Sequence, residues 1–267
     1  MEIPIIGSPA DKSMVATNKA TTRAILMDSG IPVPPGQTLV KGQDFKVPTL
    51  PCVVKPVDSE NSQGVTLVHD LAGLDPALEK AFGFSDEVII DKFIQGREIR
   101  CSVIERTLSN GQVEKKVLIP QEYLLDHSKI RCVDEKLVMD FNGLPLDRAP
   151  TTQTKFMSMD QEPDLISKIQ KVALDAHNKL QFRDFSIFDM RLDSNGNPWI
   201  LEANLFCSFG WQSVLVTHAS EIGLNDTELF KIMVNNALSR STKSTGSWSL
   251  DSSTSELSLS DSSDQSE

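Results

Sequence analysis

Residues 198–204 read PWILEAN, and the apolar run Trp199-Ile200-Leu201 ends in Glu202 and, two residues on, Asn204. Side chains alternate along a strand, so Glu202 and Asn204 share a face. The preceding segment, SIFDMRLD, carries Asp189 and is joined to PWILEAN through DSNGN. The Asn195-Gly196 pair is a hairpin signal. A turn near Ser194–Gly196 sets Asp189 opposite residue 201, 202 or 203. One of these registers gathers Asp189, Glu202 and Asn204 in a single patch. Two carboxylates and an amide oxygen are hard donors, suited to Mg²⁺ or Mn²⁺. Burying them unpaired is costly, and a bound cation removes that cost. The competing reading has both acids facing solvent or pairing with Arg191 and nearby lysines.

Three lysines decide between these readings. Lys55 ends the apolar run CVVKP, where packing gives it no reason to be. Behind it the polar loop Ser59–Gly64 offers backbone N–H groups and the Ser62 hydroxyl, the parts of an anion-binding turn. Lys19 falls on the first helix and Lys136 in a loop-like region. Each alone is an ordinary surface residue. Together with an oxygen cluster they suggest a nucleoside triphosphate. The G-x-x-x-x-G-K-[ST] phosphate loop is absent from the sequence.

The elements that must position these residues read as α/β. Helices are predicted over 17–29, 73–82, 163–180 and 225–239. Strands are predicted over 51–57, 64–70, 87–94, QGREIRCSVIE, KKVLIPQEY, 185–192 and 198–204, while residues 125–155 read as loop. No internal repeat is evident.

The chain has 267 residues, 39% hydrophobic and 24% charged, enough for one large domain or two modest ones with a buried core. A net charge of -11 argues against nucleic acid or an anionic membrane as partner. Cys52, Cys101, Cys132 and Cys207 form no C-x-x-C pair, and reduced thiols in the cytoplasm are expected. No signal peptide and no apolar run of membrane-spanning length is read. His127, His177 and His218 are read as structural or exposed. From Ser241 the last 27 residues hold 12 serines and five acids, so a disordered tail is expected. Ser253 and Ser258 each precede an acid by three positions, which makes the tail a candidate for phosphorylation beside its plainer role as a solubilising arm.

The order of these motifs resembles the ATP-grasp superfamily, in its D-alanine–D-alanine ligase branch, from about Gly7 to Leu238. The resemblance implies an ATP-grasp fold of two α+β subdomains clasping ATP: about 15–95 with the flap, and 96–240 with the metal site, within a domain 1–240 followed by a tail 241–267. It implies that Lys19 and Lys55 hold phosphates and that Ser59–Gly64, with Asn61, Ser62 and Gly64, forms the flap. Asp91, Lys92, Phe93 and Ile94 match the hinge that meets adenine, and Glu98 the ribose. Lys136 corresponds to the lysine of the closing loop. Asp189, Glu202 and Asn204 correspond to the metal ligands. Ser213 matches a serine that meets the second substrate's carboxylate. The implied reaction is carboxylate–amine ligation through an acylphosphate, with ATP and Mg²⁺ and small amino-acid-like substrates; family members are often dimers.

Three departures stand beside it. The family carries a further N-terminal domain that the resemblance does not include. Its arginine two residues before the metal-binding Asp is Ile187 here, and Arg191, two residues beyond Asp189 on the same face, is the candidate to supply that charge. Its Pro-Gly-Met loop is replaced by LFCSFGWQS. An active ligase is therefore weighed against a catalytically impaired nucleotide-binding protein with a regulatory or interaction role.

Overall fold

The computed structural model describes residues 3–131, 137–139, 145–148, 153–207, 209–210 and 213–241. Lys136 and the tail with Ser253 and Ser258 lie outside the described residues. The chain opens with α1 (Ala10–Thr17) and α2 (Lys19–Asp28). The helix expected over 17–29 is α2, which starts later because extended Asn18 caps it, accepting from the Thr21 N–H at 2.7 Å. Periodicity missed α1, which buries Ala16 and no other residue.

A first antiparallel sheet holds β1 (Gly36–Val40), β2 (Cys52–Pro56), β3 (Thr66–Val68) and β4 (Glu87–Lys92) in the order β1-β4-β2-β3. Helix α3 (Leu74–Phe82) covers one face, packing Leu74, Leu78 and Ala81 on Cys52, Val54, Val88 and Ile90. Alternation then turns Val53, Lys55, Ile89 and Asp91 to the opposite, open face.

The second sheet runs β10-β7-β5-β11-β12, from β5 (Arg97–Thr107), β7 (Gln121–Tyr123), β10 (Thr154–Phe156), β11 (Phe185–Leu192) and β12 (Pro198–Asn204). Strand β6 (Val113–Val117) pairs the far half of β5. The segment KKVLIPQEY is thus two strands rather than one, separated around Pro120, which has no N–H for a ladder. Residues 125–155 are not uniformly loop: β8 (Leu137–Met139) pairs with β9 (Pro145–Arg148), and β10 begins at Thr154. The helices α4 (Pro163–Lys179), α5 (Val214–Ser220) and α6 (Asp226–Ser241) complete the described elements; α5 is too short for its period to announce it.

Two cores sandwich this sheet. On one face Ile99, Cys101, Phe188 and Met190 pack with Ile166, Ile169 and Ala173 of α4 and with Leu26 of α2. Helix α2, expected in the same unit as strands 51–94, therefore packs with the second sheet and presents Lys19 to the first. On the other face Ile104, Phe185 and Ile187 lie under Leu215 and Val216 of α5 and Leu229 and Met233 of α6. Farther along, the residues of that face are Arg100 and Glu98 on β5 and Asp189 and Arg191 on β11. The sheet is dry under α5 and α6 and polar where it meets the open face of the first sheet. Burial of each Leu or Ile stabilises by roughly 1.5–3 kcal/mol, so the helices anchor the polar end without covering it. Among the described residues no helix is long and apolar enough to cross a membrane.

Candidate functional site

The two sheets face across an open cleft lined by residues of both. Lys19, Lys55, Asn61, Ser62, Asp91, Lys92, Phe93, Ile94 and Glu98 line it, as do Asp189, Arg191 and Glu202. Gly64, Asn204 and Ser213 are not among the lining residues. Gly64 supports the flap from behind: at φ +73, an added Cβ would lie 2.6 Å from Pro56 Cγ. Asn61 and Ser62 both take left-handed backbone, at φ 52 and φ 62, a conformation that short polar side chains tolerate. Ser59 Oγ donates to Gln63 O at 2.9 Å and closes the turn.

The hairpin adopts the register that unites the acids. Asp189 pairs with Glu202, and Ile187 with Asn204. The register shifts after Asp189, so that Met190 pairs with Ile200 and Leu201 becomes the extra residue of a bulge. The Leu201 carbonyl accepts from Lys55 Nζ at 3.4 Å. Asp91 is 3% exposed and held between Lys55, at 3.0 Å, and Arg23 of α2, at 3.2 Å. Lys19 Nζ lies 3.3 Å from Glu202 and donates to the Ser59 carbonyl of the flap. Basic groups of the cleft thus cross from one sheet to the other.

At the hinge, the Lys92 N–H donates to Pro35 O and the Phe93 N–H to Pro51 O. Arg191 donates to the Ile94 and Lys129 carbonyls, reaches Glu98 at 3.4 Å and lies over the Phe93 ring at 4.8 Å. Burial lowers its pKa against the pull of Glu98, yet a guanidinium stays charged. Its contacts are with the hinge and Glu98, and Ile187 is buried in the core beneath α5. Ser213 is 2% exposed and caps α5 by accepting from the Val216 N–H at 3.4 Å.

Sequence reasoning missed Arg23, Arg100, Arg131 and Tyr123. Arg100 pairs with Asp189 through two N–H groups, Nη2 reaching Oδ2 at 2.8 Å. Arg131 lies over the Tyr123 ring at 3.8 Å and Arg100 at 5.3 Å. The signal for Arg100 was its i+2 spacing from Glu98 on a strand whose other face is Ile99, Cys101 and Val103. Among the described residues, Lys19, Arg23, Lys55, Lys92, Arg100, Arg131 and Arg191 stand in or beside the cleft against Asp91, Glu98, Asp189 and Glu202, an excess of three positive charges. Such a site favours a polyanion. Among the described residues no group of three or more His, Cys, Asp or Glu side chains is gathered for a metal. The oxygen donors are the pair Asp189 and Glu202, with Asn204 beyond.

Behind this row His218 is fully buried, its Nδ1 2.9 Å from Ser102 Oγ and its Nε2 3.4 Å from Gln121 Oε1. Burial, reinforced by Arg100 and opposed by Asp189, lowers its pKa to about 3. An unfolded His titrates near ~6.5, so the unfolded chain takes up this proton first. Stability from this group is complete above about pH 6.5 and falls below it, by up to about 1.4 kcal/mol per pH unit, until the native ring also titrates. His218→Gln keeps an amide for both hydrogen bonds. It is expected to flatten the pH dependence of the urea midpoint between about pH 6.5 and 4; an unchanged slope would assign that dependence to other groups.

Two antiparallel sheets clasping a cationic cleft, with paired acids on a hairpin at its edge, define an ATP-grasp protein of the ligase class. Residues 25–235 match the family described as D-ala D-ala ligase C-terminus, and the chain belongs to that family. It is 28% identical over 228 residues to a D-alanine–D-alanine ligase from Methylacidiphilum infernorum (isolate V4), covering 85% of this chain and 68% of that protein. The crystal structure of D-alanine–D-alanine ligase from Bacillus anthracis superposes with a TM-score of 0.72 at 26% identity, over 91% of this chain and 74% of that one. The same enzyme complexed with ATP superposes with a TM-score of 0.70 at 25% identity, over 91% and 73%.

Proposed function

We propose that the chain is an ATP-dependent ligase that joins the carboxylate of one amino-acid-like substrate to the amine of another, releasing ADP and phosphate. The observation that carries this reading is the convergence of Lys19 and Lys55 from different layers on one cleft, beside Glu202. ATP bound there has its base at the hinge 91–94, its ribose at Glu98 and its phosphates between the two lysines under the flap 59–64. A substrate carboxylate oxygen attacks the γ-phosphorus while the bond to the bridging oxygen breaks and ADP leaves. The amine of the second substrate then attacks the acyl carbon, and phosphate departs. Lys19 and Lys55 neutralise the charge that develops on the transferring group. Arg191 holds Glu98 and the hinge in place, a positioning role. Glu202 and Asn204 offer oxygens fit for a hard cation, which when bound neutralises phosphate charge. Asp189 offers less, because Arg100 engages both its oxygens.

The test is a thermal-shift titration of the whole chain with ATP and Mg²⁺, followed by phosphate release against a panel of D- and L-amino acids, D-alanine first. A native-state ligand raises the melting temperature with its concentration. Stabilisation with amino-acid-dependent phosphate release is expected. Stabilisation without release would reduce the reading to nucleotide binding, and no stabilisation at millimolar ATP would remove the nucleotide site.

A further inference from the structure

Arg100, Asp189 and Glu202 form a row across three neighbouring strands, because Arg100 pairs with Asp189 on one side and Asp189 with Glu202 on the other. Two acids directly opposite on adjacent strands repel each other. Each has its own organic cation: Arg100 on Asp189 and Lys19 on Glu202. The two cations are not equally easy to displace. Arg100 grips both oxygens of Asp189, is 17% exposed, sits beside the Tyr123 ring and does not line the cleft. A planar fork held in this way is hard to exchange, and no phosphate in the cleft would replace its partner. Burial disfavours its charge, but Asp189 foremost, and Glu202 more weakly, hold its pKa above the ordinary guanidinium value. Lys19 makes a single 3.3 Å contact to Glu202, lines the cleft and has the flap as its other partner, so a phosphate can take it over.

We propose that Arg100 is a built-in cation that occupies Asp189, so that divalent-cation binding is confined to Glu202 and Asn204 and opens when phosphate draws Lys19 off Glu202. This rests on the nucleotide reading for its second half only. The site is then a coupled one: metal follows nucleotide, and Asp189 serves to seat Arg100 rather than to ligate.

Mn²⁺ binding, followed by loss of the free-ion electron paramagnetic resonance signal, tests both halves. With Mn²⁺ alone, the wild-type chain is expected to bind weakly. Arg100→Met, which takes this guanidinium off Asp189, is expected to bind at least about tenfold more tightly, the worth of a removed charge-assisted pair. With ATP added, Glu202→Gln is expected to lose Mn²⁺ binding by more than about tenfold, and Asp189→Asn by less than about threefold. Equal Mn²⁺ affinity in wild type and Arg100→Met would overturn the proposal, as would equal losses in the two acid variants. Should Arg100→Met fail to fold by circular dichroism, the comparison of Asp189→Asn with Glu202→Gln decides alone. Absence of any ATP binding would sink the nucleotide reading, while the Mn²⁺-only comparison would still judge Arg100.

Discussion

Arg240→Met is expected to lose about 3–5 kcal/mol of folding stability, and Asp184→Asn distinctly less, although the two variants break the same ion pair. Arg240, in the last turn of α6, donates to both oxygens of Asp184 at 2.7 Å. Asp184 has no exposed surface, whereas the Arg240 side chain is 31% exposed. Removing the arginine leaves a carboxylate sealed in protein, with the Gly7 N–H at 2.6 Å as its remaining named donor. Removing the carboxylate leaves a guanidinium that can turn to water. The stranded charge decides the cost, not the contact itself. Asp184 sits at φ 66, and asparagine accepts that backbone, so the milder variant adds no strain. Urea unfolding of wild type and both variants checks the asymmetry. Equal losses would mean that the pair acts as a packing contact between α6 and the sheet.

The second large effect is expected on ligand binding. Lys55→Met should weaken ATP binding by about 10–100-fold while changing stability little, because one charge-assisted phosphate contact is worth about 1.5–3 kcal/mol. The fold tolerates the change because Asp91 keeps Arg23 at 3.2 Å when Lys55, at 3.0 Å, is gone. Methionine preserves the stem that packs on the open face of the first sheet, which separates loss of charge from loss of volume. Calorimetric titration with ATP gives the affinity, and a melt in the absence of ligand gives the stability. A change in affinity below about threefold would confine Lys55 to holding Asp91 and Leu201. Arg23→Met is the natural companion, because it removes the other cation on Asp91.

Much of the frame was legible in the residues. The strands predicted over 185–192 and 198–204 form over Phe185–Leu192 and Pro198–Asn204, because short apolar runs joined by an Asn-Gly turn are local signals. The lysine at the end of CVVKP stood out because packing could not account for it, and it does face the cleft. Helix α1 escaped because one buried alanine makes no periodic stripe, and the strands within 125–155 because three- and four-residue elements fall below any window of periodicity. Arg100 escaped for another reason. Its partner lies 89 residues away, and only the pairing of β5 with β11 sets the two side by side.

The sequence by itself determined which residues could carry charge or donate oxygen and which strands would hold them, because residue type and period are properties of short segments. Tertiary structure alone decided which cation meets which carboxylate. The bulge at Leu201 sets the hairpin register, and α2, seated on the second sheet, carries Lys19 to Glu202 and Arg23 to Asp91. Pair energies at these distances change steeply with separation and burial, so they exist only once two sheets distant in the chain have closed on each other.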